Sequence, residues 1–155
     1  MKERGGRVLS LSRRIISSLK PYSKKIQIAG SIRRGEKNPG DIDIVLIPKD
    51  KEKILNIMKK KGKHILGFNK KAYFMVEGVK VELYFTTPEE WGAALLAYSS
   101  KKGSGIGLRI VARMKGFKLT QHGLFNRKTL KRVAGKTEEE IYLALRRPWK
   151  KPEDR

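Results

Sequence analysis

The chain has 155 residues, of which 39% are apolar, so it is large enough to bury one core or two smaller ones. It contains no cysteine, which excludes a disulfide framework and a thiolate metal site. It also lacks an apolar run of membrane-spanning length and a signal-peptide pattern, so we expect an intracellular protein with no membrane partner.

The charge is strongly basic and unevenly distributed. The net charge is +22, from 37 Lys and Arg against 15 Asp and Glu. No Asp or Glu occurs between Trp91 and Thr137, a stretch that is rich in Lys and Arg. A lysine-rich surface is also common in heat-adapted proteins, but there the two signs are interspersed. The segregation favours nucleic acid as the partner.

The N-terminal segment has the pattern of an amphipathic helix. Val8, Leu11, Ile15 and Leu19 recur at helical spacing, which predicts a helix that ends before Pro21. Residues 1–6 are polar, and we expect them to fray.

Two short strands follow, with a glycine-containing turn between them. Residues 26–29 and 41–47 are predicted strands. Alternation along the second strand directs Asp41 and Asp43 to one face. Paired carboxylates with oxygen-only ligation suit Mg²⁺ or Mn²⁺. The simpler alternative is a pair of solvated aspartates.

The turn between these strands carries groups that suit a phosphate. Ser31, the backbone N–H groups that follow Gly30, and Arg34 can hold phosphate oxygens. Gly40 stands immediately before the first aspartate and allows a ligand to approach the backbone closely.

Together these residues form a recognisable motif. Gly-Ser-x-Arg-Arg-Gly at 30–35, followed by Gly-Asp-x-Asp at 40–43, resembles the nucleotidyltransferase superfamily and, within it, the DNA polymerase X family. The resemblance implies an α+β fold: a nucleotidyltransferase palm, with a mixed β-sheet and flanking helices, followed by a small helical and β-hairpin thumb. We expect the catalytic palm at 1–87, the nucleotide- and DNA-binding thumb at 88–155, and no lyase domain.

A helix at 51–61 and a β-hairpin at 72–76 and 79–85 complete the predicted palm. In the last strand Lys80, Glu82 and Tyr84 share one face. Glu82 there suggests a cross-strand ion pair. The family resemblance instead implies the third metal-binding carboxylate, a position where the family typically has Asp.

The second half alternates helices and a hairpin. We predict a helix start at 86–90, a break at 101–105 and a helix at 106–115. In that helix Ile106, Ile110 and Met114 are predicted to face inward. A hairpin at 116–125 and a helix opened by a capping box at Thr137 follow. Trp149, in the proline-containing tail, is expected to pack.

The site residues that we predict, from the residues themselves and from the resemblance, fall into three groups. The catalytic and metal-binding set is Asp41, Asp43 and Glu82. The nucleotide-binding set is Gly30, Ser31, Arg34, Gly40, Tyr98, Ser99 and Ser100. The DNA-binding set is Lys101, Lys102, Arg109, Arg113 and Lys118.

The function implied by the resemblance is template-directed DNA synthesis. We expect a monomer, in the cytoplasm of a prokaryote or a virus-infected cell, that adds deoxynucleotides to a primer 3′-hydroxyl on gapped or primer–template DNA during short-gap repair. Two Mg²⁺ ions, or Mn²⁺ in their place, would assist. Two alternatives stay open: a template-independent nucleotidyltransferase acting on RNA or DNA ends, and a nucleic-acid-binding protein whose palm is catalytically dead.

Overall fold

The structure, a computed structural model, describes residues 2–67 and 69–155. The chain divides after Thr86 into two compact units, each with its own apolar core. No helix among the described residues combines the length and the apolar character that a membrane span requires.

The first unit is a mixed five-stranded sheet with helices. Its elements are α1 (Lys2–Leu19), β1 (Ser23–Ala29), α2 (Gly30–Arg33), β2 (Ile42–Pro48), α3 (Lys51–Lys61), β3 (Lys63–Leu66), β4 (Lys71–Val76) and β5 (Val79–Phe85). The strand order is β1-β2-β5-β4-β3. Strands β2 and β5 run parallel, whereas the other neighbours are antiparallel. This topology confirms the predicted α+β class.

Alternation along β2 and helical periodicity in α1 build the core of this unit. Ile42, Ile44 and Leu46 are fully buried, as the strand pattern predicted. The predicted apolar stripe of α1 packs into the same cluster. The predicted core helix at 51–61 is also confirmed, since Ile54 and Met58 are buried.

Three boundaries in the first unit differ from prediction. Helix α1 begins at Lys2 and so includes residues 2–6, which we expected to fray. Strand β2 begins at Ile42 and leaves Asp41 in a bend before it. Strand β3 was not predicted, because it is a four-residue edge strand with little buried surface to produce an alternating pattern.

The second unit combines three helices with a small antiparallel sheet. Its elements are α4 (Trp91–Ser99), α5 (Lys102–Met114), β6 (Phe117–Thr120), β7 (Gly123–Asn126), β8 (Arg132–Ala134) and α6 (Glu138–Ala144). The sheet order is β6-β7-β8. The predicted hairpin corresponds to β6 and β7, and the predicted terminal helix to α6.

The helices of this unit correct the sequence prediction in two places. Helix α4 begins at Trp91 rather than within 86–90, and its first position has no side-chain cap. Helix α5 begins at Lys102, so most of the predicted break is helical.

The inward face of α5 was also predicted wrongly. Ile106, Ile110 and Met114 are 41%, 53% and 82% exposed, whereas Ala112 is fully buried and Leu108 packs on the core cluster. The core of the second unit therefore meets the opposite side of α5.

Candidate active site

Two of the three predicted carboxylates are direct neighbours in the sheet of the first unit. Asp43 on β2 is the register partner of Glu82 on the parallel strand β5. Alternation then directs both side chains to the same face. The hydroxyl of Tyr84 bridges them: it donates to Asp43 Oδ1 at 3.1 Å and also contacts Glu82 Oε2. Glu82 therefore points toward Asp43.

The two carboxylates form an electrostatically crowded pair. Burial, followed by the negative charges of Glu82 and Asp41, raises the pKa of Asp43 to about 7, and the positive charge of Arg34 opposes the shift only in part. A carboxyl group in such surroundings favours its protonated form unless a cation stands nearby. The pair therefore has the electrostatics of a cation site.

The second oxygen of Glu82 is engaged by a lysine. Lys80 Nζ lies 2.7 Å from Glu82 Oε1, and the side chain of Glu82 is only 15% exposed. This hydrogen bond and the negative charge of Glu82 raise the pKa of Lys80. The ion pair that the sequence suggested is thus present, within β5 rather than across strands, together with the contact to Asp43 through Tyr84.

Asp41 lies outside β2, and this position bears on whether the three carboxylates can bind a metal ion. Asp41 precedes the strand and is exposed, yet its charge still acts on Asp43. Among the described residues no three His, Cys, Asp or Glu side chains are arranged as a ready-made metal cage. The donor set fits a hard divalent ion in its chemistry, since it is all oxygen and carries an unfavourable concentration of negative charge.

Gly30 makes room for the Asp43 carboxylate. It adopts a left-handed φ of +61°, and a Cβ at this position would lie 2.1 Å from Asp43 Oδ2. Only glycine fits this combination of backbone conformation and close approach. The glycine of the Gly-Ser motif thus supports the carboxylate as well as the turn.

The other residues that we predicted to bind phosphate lie around the same turn. Ser31 belongs to α2, and Arg34 follows it directly. Arg34 is 15% exposed and forms an ion pair with Glu36 at 2.7 Å. Gly40 is exposed, and a Cβ there would meet no atom within 4 Å, so its backbone is open to a ligand.

Only some of the predicted site residues of the second unit lie close together. Ser100, Arg109 and Lys118 line one cavity of about 280 Å³, between α4, α5 and β6. Ser99 is fully buried, backbone included, so it offers no surface to a ligand in this structure. Tyr98 is half-buried, and Lys101 and Arg113 are exposed outside this cavity. The side chain of Lys102 lies outside the described residues.

Sequence reasoning placed Tyr84 on the face of Glu82 without giving it a role. The i, i+2 alternation of β5 was the available signal, because it aligns Lys80, Glu82 and Tyr84. What the sequence could not supply was the lateral distance between β2 and β5, which brings the Tyr84 hydroxyl to Asp43.

Comparisons with known proteins agree with this architecture. The DNA polymerase beta palm model matches residues 7–112, and the DNA polymerase beta thumb model matches residues 94–155. A mixed sheet that pairs Asp43 with Glu82, in a chain matched by both models, defines a polymerase-beta-type palm and thumb. The chain belongs to the DNA polymerase X family.

Individual relatives are similar at modest identity. The chain is 27% identical over 147 residues to Repair DNA polymerase X of African swine fever virus, isolate Warthog/Namibia/Wart80/1980, covering 88% of this chain and 84% of the relative. The Badajoz 1971 Vero-adapted strain gives the same values. DNA polymerase IV of Saccharomyces cerevisiae is 39% identical over 67 residues, which are 43% of this chain and 11% of that protein.

Proposed function

We propose that this protein is a DNA-directed DNA polymerase that adds deoxynucleotides to a primer 3′-hydroxyl by nucleotidyl transfer. The observation that carries the proposal is the pairing of Asp43 with Glu82 across two parallel strands, beside the Gly30–Arg34 turn, in a chain of the DNA polymerase X family. The names of the viral relatives support a role in DNA repair, and short gaps are the substrate we propose.

The carboxylates concentrate negative charge where the reacting groups meet. Asp41, Asp43 and Glu82 would hold two Mg²⁺ ions, with Mn²⁺ as a substitute. Bound Mg²⁺ supplies positive charge that lowers the pKa of the primer 3′-hydroxyl and neutralises the leaving pyrophosphate. Lys80 and Tyr84 hold the carboxylate of Glu82 in place, so that little reorganisation is needed during the reaction.

The turn after β1 binds the triphosphate. Ser31, Arg34 and the backbone of Gly40 would contact the β- and γ-phosphates. Arg34 exchanges its present partner, Glu36, for a phosphate of higher charge. The left-handed Gly30 keeps the turn close to the Asp43 carboxylate, so the phosphates lie beside the reacting centre.

The basic second unit binds the nucleotide and the DNA. Tyr98 and Ser100 would contact the sugar and base of the incoming dNTP, whereas the fully buried Ser99 has no surface to offer. The protein would bind gapped or primer–template DNA through phosphate contacts from Lys101, Lys102, Arg109, Arg113 and Lys118. The cavity that Ser100 shares with Arg109 and Lys118 supports this arrangement, because it joins a nucleotide contact to two DNA contacts. We propose that the protein acts as a monomer.

Primer extension on DNA with a one-nucleotide gap tests the proposal. Asp43→Ala is expected to lose extension by at least about a thousandfold, equivalent to about 4 kcal/mol of transition-state stabilisation. Glu82→Gln is expected to lose activity similarly, and Glu82→Asp to keep it. Glu52→Gln, which removes an exposed acid from α3, is the matched control. Full extension by Asp43→Ala would refute the proposed site.

The same assay separates the alternatives. Incorporation that follows the template base supports the polymerase, whereas incorporation that ignores it indicates a template-independent nucleotidyltransferase. Absence of metal-dependent pyrophosphate release from wild-type protein that binds the DNA indicates a nucleic-acid-binding protein without catalysis.

A further inference from the structure

The loop that connects β7 to β8 displays an apolar side chain to solvent. It spans residues 127–131, and Leu130 within it is 77% exposed. A single exposed leucine is ordinary on a protein surface. The backbone of Leu130 is not ordinary, because its φ is +62°, in the left-handed region that a bulky side chain rarely adopts. A strained residue that contributes nothing to the core is typical of a functional position.

Hydrogen bonds hold this loop in one shape. The side-chain oxygen of Asn126 accepts from the backbone N–H groups of Lys128 at 2.9 Å and Thr129 at 3.0 Å. The backbone N–H of Leu130 donates to the carbonyl oxygen of Asn126 at 2.8 Å, and the N–H of Asn126 donates to the carbonyl oxygen of Lys131 at 2.9 Å. Asparagine closes turns in this way. The loop is therefore preorganised, so little conformational entropy is lost when Leu130 binds a partner.

The surroundings of Leu130 are basic. The exposed cations of the loop and of the first residue of β8 are Arg127, Lys128, Lys131 and Arg132. The acid that contacts this cluster is Glu90, which lies 3.5 Å from Arg132 and also contacts His122. One carboxylate does not offset four cations, so the loop favours a polyanion as its partner.

A groove beside the loop connects it to a residue that we propose as a DNA contact. Its volume is about 340 Å³, and Phe125, Arg127 and Leu130 line it. None of its described lining residues is acidic. Lys118 and Thr120 line both this groove and the cavity of about 280 Å³. Because Lys118 is one of the proposed phosphate contacts, the loop extends the same surface.

We propose that this loop contacts DNA phosphates through its cations and inserts Leu130 between two bases beside a gap. The proposal rests on the DNA binding proposed above and goes beyond it, because phosphate contacts alone would leave the bases stacked. Proteins that kink DNA insert apolar side chains between base steps in this way, next to Arg or Lys contacts. Separating two bases is less costly where one strand is interrupted than within an intact duplex. The loop therefore favours gapped DNA over continuous duplex.

Three variants separate the apolar group from the fold of the loop. Leu130→Asn removes the apolar group but keeps a side chain of similar size, and Asn tolerates the left-handed backbone better than Leu does. Its Tm should therefore be no lower than that of the starting protein. Leu130→Met keeps an apolar side chain at the same position. Leu143→Asn is the matched control, since Leu143 is 78% exposed but lies on α6, outside the loop and its groove.

The measurement is the fluorescence of 2-aminopurine, which is quenched while the base is stacked. The base is placed in turn at each template position across and beside a one-nucleotide gap, and at the same positions in continuous duplex. Full-length Asp43→Ala protein in EDTA carries all the variants, so neither catalysis nor metal contributes. We expect the starting protein to raise the emission at one position beside the gap by about twofold or more, and to raise it less in continuous duplex.

Leu130→Asn should lose most of this increase and bind gapped DNA about threefold to tenfold more weakly, because the phosphate contacts remain while the insertion is lost. Leu130→Met and Leu143→Asn should behave like the starting protein. Circular dichroism verifies that each variant is folded.

Three results would overturn the proposal. The first is bound gapped DNA with no increase in emission at any template position. The second is an increase that survives in Leu130→Asn with an unchanged Kd, which would instead indicate a protein partner for the exposed leucine. The third is an equal loss in Leu143→Asn. Anisotropy of the same samples reports whether the DNA is bound, so failure of the insertion is distinguishable from failure of the proposed DNA binding.

Discussion

At the scale of single residues, Asp43 is the group whose surroundings conflict most with its charge. Its pKa is raised to about 7, first by burial and then by Glu82 and Asp41. In the unfolded chain an aspartate titrates near pH 4, so between about pH 4 and 7 the folded protein binds more protons than the unfolded protein. Stability without metal therefore falls as pH rises through this window, and the loss is complete above about pH 7.

Replacing Asp43 by an uncharged residue of the same size should remove this loss. We predict that Asp43→Asn in EDTA is more stable than wild type at pH 8, by about 1 to 4 kcal/mol, and differs little at pH 4. Thermal unfolding followed by circular dichroism at both pH values measures the difference. Added Mg²⁺ should stabilise the wild type at pH 8 and leave Asp43→Asn nearly unchanged. Parallel pH profiles for the two proteins would contradict the prediction.

Gly30 gives a second prediction at this scale. In Gly30→Ala the new methyl group would overlap the Asp43 carboxylate, 2.1 Å away, at a φ of +61° that L-residues rarely adopt. We expect a loss of about 1–3 kcal/mol in unfolding free energy and loss of primer extension. Urea unfolding measures the first effect.

Gly6→Ala is the matched control for that experiment. Gly6 lies in α1, and a Cβ there would contact nothing within 4 Å. Alanine should stabilise the helix by up to about 1 kcal/mol. If Gly30→Ala behaves like Gly6→Ala, the close approach to Asp43 has no energetic consequence.

At the scale of elements, the faces of β2 and β5 were predicted better than the face of α5. Alternation along β2 and β5 identified the buried Ile42, Ile44 and Leu46 and the shared face of Glu82 and Tyr84. Their parallel pairing depends on how the strands pack, which no local pattern encodes. This pairing is also why the bridge from Tyr84 to Asp43 could not be predicted.

Helix α5 shows how apolar periodicity can mislead. Ile106, Ile110 and Met114 recur at i, i+4 and i+8, which is the expected pattern of a buried stripe. The structure buries Ala112 and packs Leu108 against the core cluster of the second unit instead. The glycines before Ile106, which predicted a break, are tolerated within the helix.

The terminal helix α6 shows a partly correct capping prediction. Thr137 accepts a hydrogen bond from the backbone N–H of Glu140 at 3.1 Å, as a capping box requires. The backbone N–H that donates to the Glu140 carboxylate, however, is that of Lys136 rather than that of Thr137. The residue types predicted where the helix starts. They could not predict the hydrogen-bond partner of Glu140, because it depends on the side-chain rotamer.

The corrected face of α5 predicts which substitutions the second unit tolerates. Ile110→Gln, at a position that is 53% exposed, should change the unfolding free energy by less than about 0.5 kcal/mol. Leu124→Ala, at a fully buried position of β7, should cost about 2–5 kcal/mol. Chemical denaturation of both variants measures this contrast. A larger loss of unfolding free energy for Ile110→Gln would support the orientation of α5 that the sequence predicted.

At the scale of the whole molecule, the charge of +22 far exceeds what folding requires. Self-repulsion of this size opposes compaction, and a polyanion relieves it. The basic segment from Trp91 to Thr137 contains no acid and lies entirely in the second unit, whereas the carboxylates that crowd Asp43 lie in the first. Both units nevertheless carry a net positive charge, +13 for residues 1–86 (21 Lys and Arg against 8 Asp and Glu) and +9 for residues 87–155 (16 against 7), so either unit can contribute to the DNA binding we propose.

This excess of positive charge predicts steep salt dependence of DNA binding. If the second unit neutralises six or more phosphates, a plot of log Kd against log salt should have a slope of about 5 or more. Fluorescence anisotropy with labelled gapped DNA between about 50 and 200 mM salt measures the slope. Arg113→Gln should reduce it by about one and weaken binding to all sequences equally, because a phosphate contact carries no sequence information. Lys24→Gln, an exposed lysine of β1 outside the proposed DNA contacts, should leave the slope unchanged. A wild-type slope near zero would mean that the excess charge serves another purpose, such as solubility.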